Sequence, residues 1–215
     1  MEKRCVIIGA SPQDDINYIF LLIKETDYFI CADGGYDAAS SLGISPDCIV
    51  GDGDSYKKDI AGITGIAGIE KITLPAEKDF TDFTVAIDHG LSMGFKDFLL
   101  LTCTGGRFDH HFANICMLER LAENNARGVI ADSKNHILIH TGGLMIVKNK
   151  PGFKYISVAA LDSIVCGVTL RGFKYPLTNA SLKRSEPIGI SNEFAGDEAL
   201  IEIKKGKALI IYSRD

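Results

Sequence analysis

Residues 98–107 read FLLLTCTGGR, an uninterrupted apolar run that leads into a glycine-rich bend. The run Phe98 to Leu101 has no polar side chain for solvent, so both of its faces need cover, as in a strand of a parallel sheet. A helical pattern from His110 to Asn124 follows the bend, and a short apolar run from Gly128 to Ala131 follows that helix. The order strand, helix, strand predicts a βαβ unit.

The same alternation extends back to the amino terminus. The other predicted strands are Cys5 to Ile8, Tyr28 to Ala32, Cys48 to Val50 and Lys71 to Leu74. The other predicted helices are Asp14 to Lys24, Tyr36 to Leu42, one after Ser55, and Thr81 to Met93. The last of these carries an apolar stripe at helical spacing, formed by Phe83, Ala86, Ile87 and Leu91. The first 132 residues therefore predict an α/β domain with a parallel sheet.

The pattern changes after about Asp132, where short apolar runs follow one another with only turns between them and no helical period. Residues 133–215 therefore predict a small antiparallel β domain. Its predicted strands are Ile137 to His140, Leu144 to Val147, Tyr155 to Ala160, Ile164 to Leu170, Ala199 to Ile203 and Ala208 to Tyr212. The sequence Lys204-Lys205-Gly206 predicts a hairpin turn between the last two.

The composition excludes several classes of protein. The chain has 215 residues, of which 46% are hydrophobic and 24% charged, as in a compact soluble protein and unlike a disordered or collagenous one. With 23 Lys and Arg against 28 Asp and Glu, the net charge is −5, so no nucleic-acid partner is expected. No apolar stretch approaches the roughly 18 residues that span a bilayer, so no membrane association is expected. The apolar run Cys5 to Ile8 is too short for a signal peptide.

The six cysteines are widely scattered, and most adjoin apolar strand-like runs. This favours reduced, buried thiols in a cytoplasmic protein over a disulfide framework or a zinc site.

Acidic and glycine residues follow the carboxyl ends of four predicted strands. In an open α/β sheet, ligands bind in the crevice outside those ends. The four segments are Asp33-Gly34-Gly35, Gly51-Asp52-Gly53-Asp54-Ser55, Glu77-Lys78-Asp79-Phe80-Thr81-Asp82 and Thr104-Gly105-Gly106-Arg107-Phe108-Asp109-His110.

Two of these segments contain a pair of aspartates. Asp52 and Asp54 are two residues apart, so their side chains lie on one side of an extended segment. Asp79 and Asp82 are three apart at a helix start, which places them on one face of the first turn. Such pairs supply the few carboxylates that Mg²⁺ takes alongside phosphate oxygens and water. Helix capping and an Asp-Gly turn explain either pair taken singly, but they do not require both pairs at adjacent strand ends.

The segment Gly105-Gly106-Arg107 forms a bend ahead of a helix, where backbone N–H groups can approach an anion and the guanidinium can bind phosphate oxygens. It is neither a Walker A loop nor a dinucleotide-binding fingerprint. The Asp109-His110-His111 triplet favours an acidic helix start beside a structural or solvated histidine over a metal site, because neighbouring helical residues do not face one another.

With these motifs in place, the chain resembles the thiamine pyrophosphokinase family over nearly its whole length. The motifs that carry the resemblance are Ala32-Asp33-Gly34-Gly35, Gly51-Asp52-Gly53-Asp54-Ser55, Lys78-Asp79-Phe80-Thr81-Asp82, Thr104-Gly105-Gly106-Arg107-Phe108-Asp109-His110 and Ser191-Asn192. Each is short, but their order and the two-part layout are specific.

The resemblance implies an ATP-binding α/β catalytic domain over residues 1–132 and a thiamine-binding β-sandwich over 133–215. It also implies a homodimer with its sites at the subunit interface. The implied residues fall into four groups. Mg²⁺ would be held by Asp52, Asp54 and Asp82, and the catalytic carboxylates would be Asp79, Asp82 and Asp54. ATP would contact Asp33, Gly34, Gly35, Gly105, Gly106, Arg107 and Asp109. Thiamine would contact Ser191 and Asn192, with Phe194 as a candidate aromatic partner.

The implied reaction is attack of the thiamine hydroxyl on the β-phosphorus of ATP, with AMP as leaving group. Two other functions share parts of this pattern. A metal-dependent phosphohydrolase also uses aspartates at strand ends, although a two-metal centre usually includes histidine. A non-catalytic sensor of a nucleotide or vitamin would share the binding residues but would not need clustered aspartates.

Overall fold

The computed structural model describes residues 3–12, 15–52, 68–75 and 79–215. The chain divides into two compact units, Met1–Ser133 and Lys134–Asp215. Among the helices of the described ranges, none combines the length and apolar character needed to cross a lipid bilayer.

The described strands of the first unit form a parallel sheet, as the sequence predicts, and their order is β4-β3-β2-β1-β5-β6. The strands are β1 (Cys5–Ile8), β2 (Tyr28–Ala32), β3 (Cys48–Gly51), β4 (Glu70–Thr73), β5 (Asp97–Leu101) and β6 (Arg127–Ala131). The helices are α1 (Ile16–Phe20), α2 (Gly35–Ser41), α3 (Asp82–Ser92) and α4 (Phe108–Glu123). The helix predicted after Ser55 lies outside the described residues.

Helices cover both faces of this sheet, which explains its uninterrupted apolar strands. On one face, Ile19 of α1 and Ala39 of α2 share a core cluster with alternate residues of β1 and β5. On the other face, α3 contacts β1, β2 and β3, and α4 contacts β6. At Gly90 of α3 the approach is so close that an added Cβ would lie 2.8 Å from the ring of Phe98. The strand residues Phe98 to Leu101 are buried, as predicted.

Helix α1 is shorter than the predicted span from Asp14 to Lys24. Its amino-terminal cap is Asp15, whose carboxylate accepts hydrogen bonds from the amides of Asn17 and Tyr18. It ends early because the chain turns towards β2, where the carboxylate of Asp27 accepts a hydrogen bond from the amide of Lys24 at 2.8 Å.

The second unit contains two antiparallel sheets, and the predicted fold class of a parallel α/β domain followed by a β-sandwich is confirmed. One sheet has the order β7-β13-β9 and the other the order β11-β10-β12-β8. The strands are β7 (Asn135–His140), β8 (Gly143–Lys148), β9 (Tyr155–Ala160), β10 (Ile164–Arg171), β11 (Leu177–Lys183), β12 (Glu198–Ile203) and β13 (Ala208–Ser213).

The structure of this unit differs from the sequence prediction at two places. Strand β11 was not predicted, because it is a mostly exposed edge strand in which polar residues occupy both faces. The segment Lys204-Lys205-Gly206 does not form a hairpin between its flanking strands. Strand β12 pairs with β8 and β10, whereas β13 pairs with β7 and β9, so the segment connects the two sheets.

All six cysteines are free thiols in the structure. The predicted burial of the thiols is confirmed for four of them, Cys5, Cys31, Cys48 and Cys103. It is wrong for Cys116 and Cys166, which are partly exposed.

We predict that Asp27→Ala lowers the free energy of unfolding by roughly 3 kcal/mol, because it breaks a desolvated ion pair. Asp27 is 5% exposed, and its carboxylate accepts hydrogen bonds from the Arg4 guanidinium at 2.6 and 3.1 Å. The measurement is urea denaturation. The control is Asp97→Ala, which removes an exposed pair with Arg127 at 3.8 Å and should cost less than about 0.5 kcal/mol. Equal losses in the two variants would contradict this account.

Candidate functional site at the carboxyl edge of the parallel sheet

The chain reverses its direction across the sheet between β1 and β5. From β1 it builds outward through β2 and β3 to β4, and it then returns to place β5 on the other side of β1. In an open α/β sheet, such a topological switch leaves a crevice beyond the carboxyl ends of the two neighbouring strands.

The segments that leave β1 and β5 are bonded to each other at this crevice. The amide of Gly9 donates to the carbonyl of Leu101 at 3.0 Å, and the amide of Ser11 donates to the carbonyl of Thr102 at 2.8 Å. The Thr102 hydroxyl donates to the carbonyl of Gly9 at 2.6 Å. Thr102 has a φ of 50°, an uncommon conformation for a β-branched residue. These bonds fix the floor of the crevice.

Gly9 is required by this close approach. A Cβ at this position would lie 2.7 Å from the carbonyl oxygen of Thr102 and 3.3 Å from the ring of Phe83. Only a residue without a side chain fits there while the two segments remain bonded.

A cavity of about 580 Å³ lies above this floor, and it is lined by segments from five parts of the first unit. They are residues 9–12 after β1, Ala32 and Asp33 at the end of β2, residues 79–83 at the start of α3, Thr102 after β5, and Gly106, Arg107, His110 and Asn114 around the start of α4. Its size suits a small-molecule ligand.

Three of the predicted aspartates line the cavity: Asp33, Asp79 and Asp82. Asp33 has a φ of 52°, and its amide donates to the carbonyl of Val50 at 2.8 Å, which ties the end of β2 to β3. Asp82 lies in the first turn of α3, where a negative charge complements the helix dipole.

The expectation that Asp79 and Asp82 both lie in the first helical turn is wrong. The helix begins at Asp82, and Thr81 is its cap, with a side-chain oxygen that accepts a hydrogen bond from the Thr84 amide. Capping by Asp79 is therefore also wrong. Asp79 precedes the helix and is exposed at the cavity.

The other predicted metal ligands are placed differently. Asp52 is partly buried just after β3 and is not part of the described lining of the cavity. Asp54 lies outside the described residues.

The glycine-rich bend has an unusual backbone. Gly105 and Gly106 have φ values of 86° and 70°. Both lie close to Pro12, because a Cβ added to either glycine would be 3.4 Å from an atom of Pro12. The bend therefore lies against the segment that leaves β1. Arg107 is the amino-terminal cap residue of α4. Its side chain accepts no hydrogen bond from the first N–H groups of the helix.

Arg107 lines the cavity and is paired with Asp109. Its guanidinium donates to the two carboxylate oxygens at 3.2 and 2.6 Å. The hydrogen bond from Arg107, together with one from the His110 amide, holds the pKa of Asp109 below its usual range. Both side chains are mostly exposed, so the pair is screened by solvent and can exchange for another anion.

Gly34 and Gly35 follow β2 but are not part of the described lining of the cavity. Gly35 has a packing role, because a Cβ there would overlap the carbonyl oxygen of Ile8. This close contact seats the start of α2 on the end of β1.

In the second unit, Asn192 is 5% exposed, and its side-chain amide connects its loop to the segment at Tyr175. It donates to the Tyr175 carbonyl at 2.7 Å and accepts from the amides of Tyr175 and Glu193 at 3.0 and 2.9 Å. Ser191 is exposed, with a φ of 56°. Phe194 is partly buried between Phe173 and Tyr212, at ring-centroid distances of 5.6 and 6.1 Å.

Several residues of the cavity were missed at the level of sequence, namely Gly9 to Pro12, Thr102, His110 and Asn114. A signal existed for the first group, because Gly9 follows the first apolar strand in the way that Gly34 follows the second. Asn114 has no such signal. It is buried in α4, and its amide donates to the carbonyl of Cys103 at 2.9 Å, which supports the segment after β5.

Comparison with known proteins gives one consistent result. A family model described as the catalytic domain of thiamin pyrophosphokinase matches residues 20–130, and one described as its vitamin B1 binding domain matches residues 144–210. Thiamine pyrophosphokinase of Bacillus subtilis is 29% identical over 213 residues, which cover 99% of this chain and 100% of the relative. Thiamin pyrophosphokinase 1 of Caenorhabditis elegans is 24% identical, and the match covers 97% of this chain and 87% of the relative.

Solved structures agree with this result. The crystal structure of the Bacillus subtilis thiamine pyrophosphokinase has a TM-score of 0.91 at 28% identity, with 99% of this chain and 100% of that chain covered. The thiamin pyrophosphokinase of Geobacillus thermodenitrificans has a TM-score of 0.86 at 28% identity, with 99% and 98% covered. The Candida albicans enzyme, at 18% identity and a TM-score of 0.81 over 99% of this chain and 89% of that chain, shares the fold.

We predict that Gly9→Ala lowers the free energy of unfolding by about 1–3 kcal/mol, because the added methyl group forces the two bonded segments apart. Chemical denaturation measures this loss. Gly196→Ala is the control, since an added Cβ there meets nothing within 4 Å. If the two variants were equally stable, the close approach of Gly9 and Thr102 would be disproved.

Proposed function

Because the chain belongs to the thiamin pyrophosphokinase family, we propose that it transfers the pyrophosphoryl group of ATP to the hydroxyl of thiamine. The products are thiamine diphosphate and AMP. The observation that carries this proposal is the agreement between the family matches and the cavity at the topological switch, which combines acidic side chains with a glycine-rich bend and an arginine.

In the proposed reaction, the hydroxyl oxygen of thiamine forms a bond to the β-phosphorus of ATP. The bond from that phosphorus to the oxygen shared with the α-phosphate breaks, and AMP leaves with the electron pair. A carboxylate takes the hydroxyl proton. The protein mainly has to position the reactants and stabilise negative charge, as in other phosphoryl-type transfers.

The phosphate side of ATP fits the part of the cavity formed by Gly106, Arg107 and the start of α4. Backbone N–H groups at a helix start attract anions, and the left-handed backbone of Gly105 and Gly106 allows a phosphate to approach closely. We propose that Arg107 exchanges its exposed partner Asp109 for phosphate oxygens when ATP binds. Asp109 then serves to orient the guanidinium in the free enzyme.

The proposed nucleotide contacts also include Asp33, Gly34 and Gly35. Asp33 lines the cavity and could bind a donor group of the nucleotide. Gly34 and Gly35 would act through the backbone, because their close packing brings the start of α2 up to the end of β1.

Kinase-type enzymes of this kind generally need a divalent metal, and the carboxylates at the cavity fit Mg²⁺. Asp79 and Asp82 provide hard oxygen donors, and the partial exposure of the site leaves room for water and phosphate ligands. We propose Asp52, Asp54 and Asp82 as ligands; for Asp52 and Asp54 the support is the sequence motif. When bound, the ion would offset the repulsion between these carboxylates and the triphosphate.

The proton acceptor is proposed to be Asp82, Asp79 or Asp54. Asp82 and Asp79 both border the cavity, so either can reach a hydroxyl placed there. A carboxylate fixed in the first turn of a helix is better oriented than one in a loop, which favours Asp82.

We propose that the exposed hydroxyl of Ser191 contacts thiamine. Asn192 supports the conformation of this loop through its hydrogen bonds to Tyr175. The three internal hydrogen bonds of the Asn192 amide leave it little capacity for a ligand. Phe194 already packs between two rings, so it would offer at most one edge to thiamine.

We also propose a homodimer. Strand β8 is the edge of its sheet, and its residues Leu144 and Ile146 point to the same side and are 64% and 63% exposed. Exposed apolar side chains on an edge strand are suited to cover by a second copy. The binding of substrates at the subunit interface and the cytoplasmic location both stay predictions.

The direct test is to incubate the protein with ATP, Mg²⁺ and thiamine and to identify the products. Formation of AMP and thiamine diphosphate in equal amounts is the expected result. ATP hydrolysis that does not depend on thiamine would instead indicate a phosphohydrolase, and binding without turnover would indicate a sensor. Either outcome would refute the proposed function.

We predict that Asp82→Asn lowers kcat by at least about 100-fold, because it removes a carboxylate that stabilises charge or accepts the proton. Steady-state kinetics at saturating Mg²⁺ give the measurement. Asp88→Asn is the matched control in the same helix; it disrupts an ion pair with Arg120 outside the cavity and should retain most activity. Near-normal turnover of Asp82→Asn would show that the carboxylate is not required.

We predict that Arg107→Ala raises the KM for ATP by about 10-fold or more and leaves the KM for thiamine nearly unchanged, since one charge-assisted contact to phosphate is lost. Arg127→Ala is the control, because that exposed arginine lies outside the described lining of the cavity. An unchanged KM for ATP in Arg107→Ala would contradict the proposed role.

A further inference from the structure

Three metal-ligating side chains of different chemistry meet at the opposite edge of the parallel sheet. Cys48 is the first residue of β3 and Glu70 is the first residue of β4, and the register of the two parallel strands pairs them. His89 lies in the last turn of α3. The Sγ atom of Cys48, a carboxylate oxygen of Glu70 and a ring nitrogen of His89 all lie within 4.8 Å of one another.

This cluster is separate from the proposed active site. The cavity lies beyond the carboxyl ends of the strands, whereas Cys48 and Glu70 begin their strands at the amino edge. Helix α3 connects the two places, because it starts at Asp82 in the cavity and carries His89 near its other end.

The distances fit a tetrahedral metal ion. Zinc binds nitrogen and carboxylate oxygen at about 2.0–2.2 Å, so two such ligands of a tetrahedral ion lie about 3.5 Å apart. The Nε2 atom of His89 and the Oε2 atom of Glu70 are 3.5 Å apart. The remaining separations, up to 4.8 Å, require only small side-chain rotations to close around an ion.

The protein without metal leaves these groups poorly satisfied. Among the described residues, the Nε2 atom of His89 is a buried nitrogen without a hydrogen-bond partner. The 3.5 Å contact between His89 and Glu70 is long, and the Glu70 side chain is half exposed. The two residues therefore form at best a weak ion pair, and Cys48 is not part of it. Burial, together with the nearby carboxylates of Glu70 and Asp47, raises the pKa of the Cys48 thiol to about 12, so the sulfur keeps its proton unless a cation displaces it. A divalent cation would take the lone pair of this nitrogen and would stabilise the deprotonated Cys48 sulfur, so one ion would engage all three groups.

We propose that Cys48, Glu70 and His89 bind a zinc ion, with water as the fourth ligand. Thiolate and imidazole ligands select a borderline-soft ion such as Zn²⁺ over Mg²⁺, which prefers oxygen ligands. The ion ties the exposed edge strand β4 to β3 and to the end of α3. It therefore stabilises the helix that carries Asp82 at its other end.

The test uses the full-length protein after removal of metal with a chelator. Zn²⁺ is titrated in competition with a chromophoric chelator, and Co²⁺ is used as a spectroscopic probe. The wild type is expected to bind one equivalent tightly, to show a thiolate-to-cobalt charge-transfer band, and to melt several degrees higher with Zn²⁺. Cys48→Ala should lose the band, and His89→Gln and Glu70→Gln should weaken Zn²⁺ binding by roughly 100-fold or more.

Three controls make the result specific. Cys116→Ala and His111→Gln replace a cysteine and a histidine outside the cluster and should bind Zn²⁺ as the wild type does. Asp82→Asn should also leave this binding unchanged, which separates the zinc site from the proposed magnesium site. Glu70 is exposed, so Glu70→Gln should remain folded, as circular dichroism can verify. The proposal is overturned if the wild type fails to compete for Zn²⁺, if its cobalt complex lacks the thiolate band, or if the ligand variants bind as tightly as the wild type.

Discussion

The fold and the candidate site both depend on the bonded junction between the segments that leave β1 and β5. Two parallel neighbours whose connections run to opposite sides of the sheet necessarily leave an open crevice at their carboxyl ends. Here the Thr102 hydroxyl and two backbone hydrogen bonds close the bottom of that crevice, and Gly9 makes the approach possible. The remaining elements bring the start of α4, an arginine and two carboxylates of the α3 segment to this point.

The sequence predicted most of the fold because burial on both faces of the parallel sheet forces uninterrupted apolar strands. Strands β1 and β2 begin and end at the predicted residues. The cap residues of α3, Thr81 and Met93, are the predicted ends of that helix. The sequence prediction fails in segments whose side chains bury little apolar surface. Strand β11 is an exposed edge with polar residues, and the segment 204–206 has hairpin composition although its flanking strands belong to different sheets. Pairing partners of short strands are decided by packing across the whole domain, which local composition does not encode.

The lining of the cavity was predictable where acidic and basic residues follow the carboxyl ends of strands. Asp33, Asp82 and Arg107 were identified by that rule, and all three line one cavity. What the sequence could not show is which groups are already engaged. The amide of Asn192 resembles a ligand contact in the sequence, yet three internal hydrogen bonds occupy it. The cluster of Cys48, Glu70 and His89 was equally invisible, because strand register and helix packing bring together residues that are far apart in the chain.

The most direct test of this account is a crystal structure of the protein with thiamine, Mg²⁺ and an ATP analogue that cannot transfer its phosphates. The account predicts that the phosphates lie beyond the carboxyl ends of β1 and β5, between residues 9–12 and the bend at Gly106 and Arg107, with the ion on their acidic side. A nucleotide bound at any other place on the chain, with this crevice left to solvent, would contradict it.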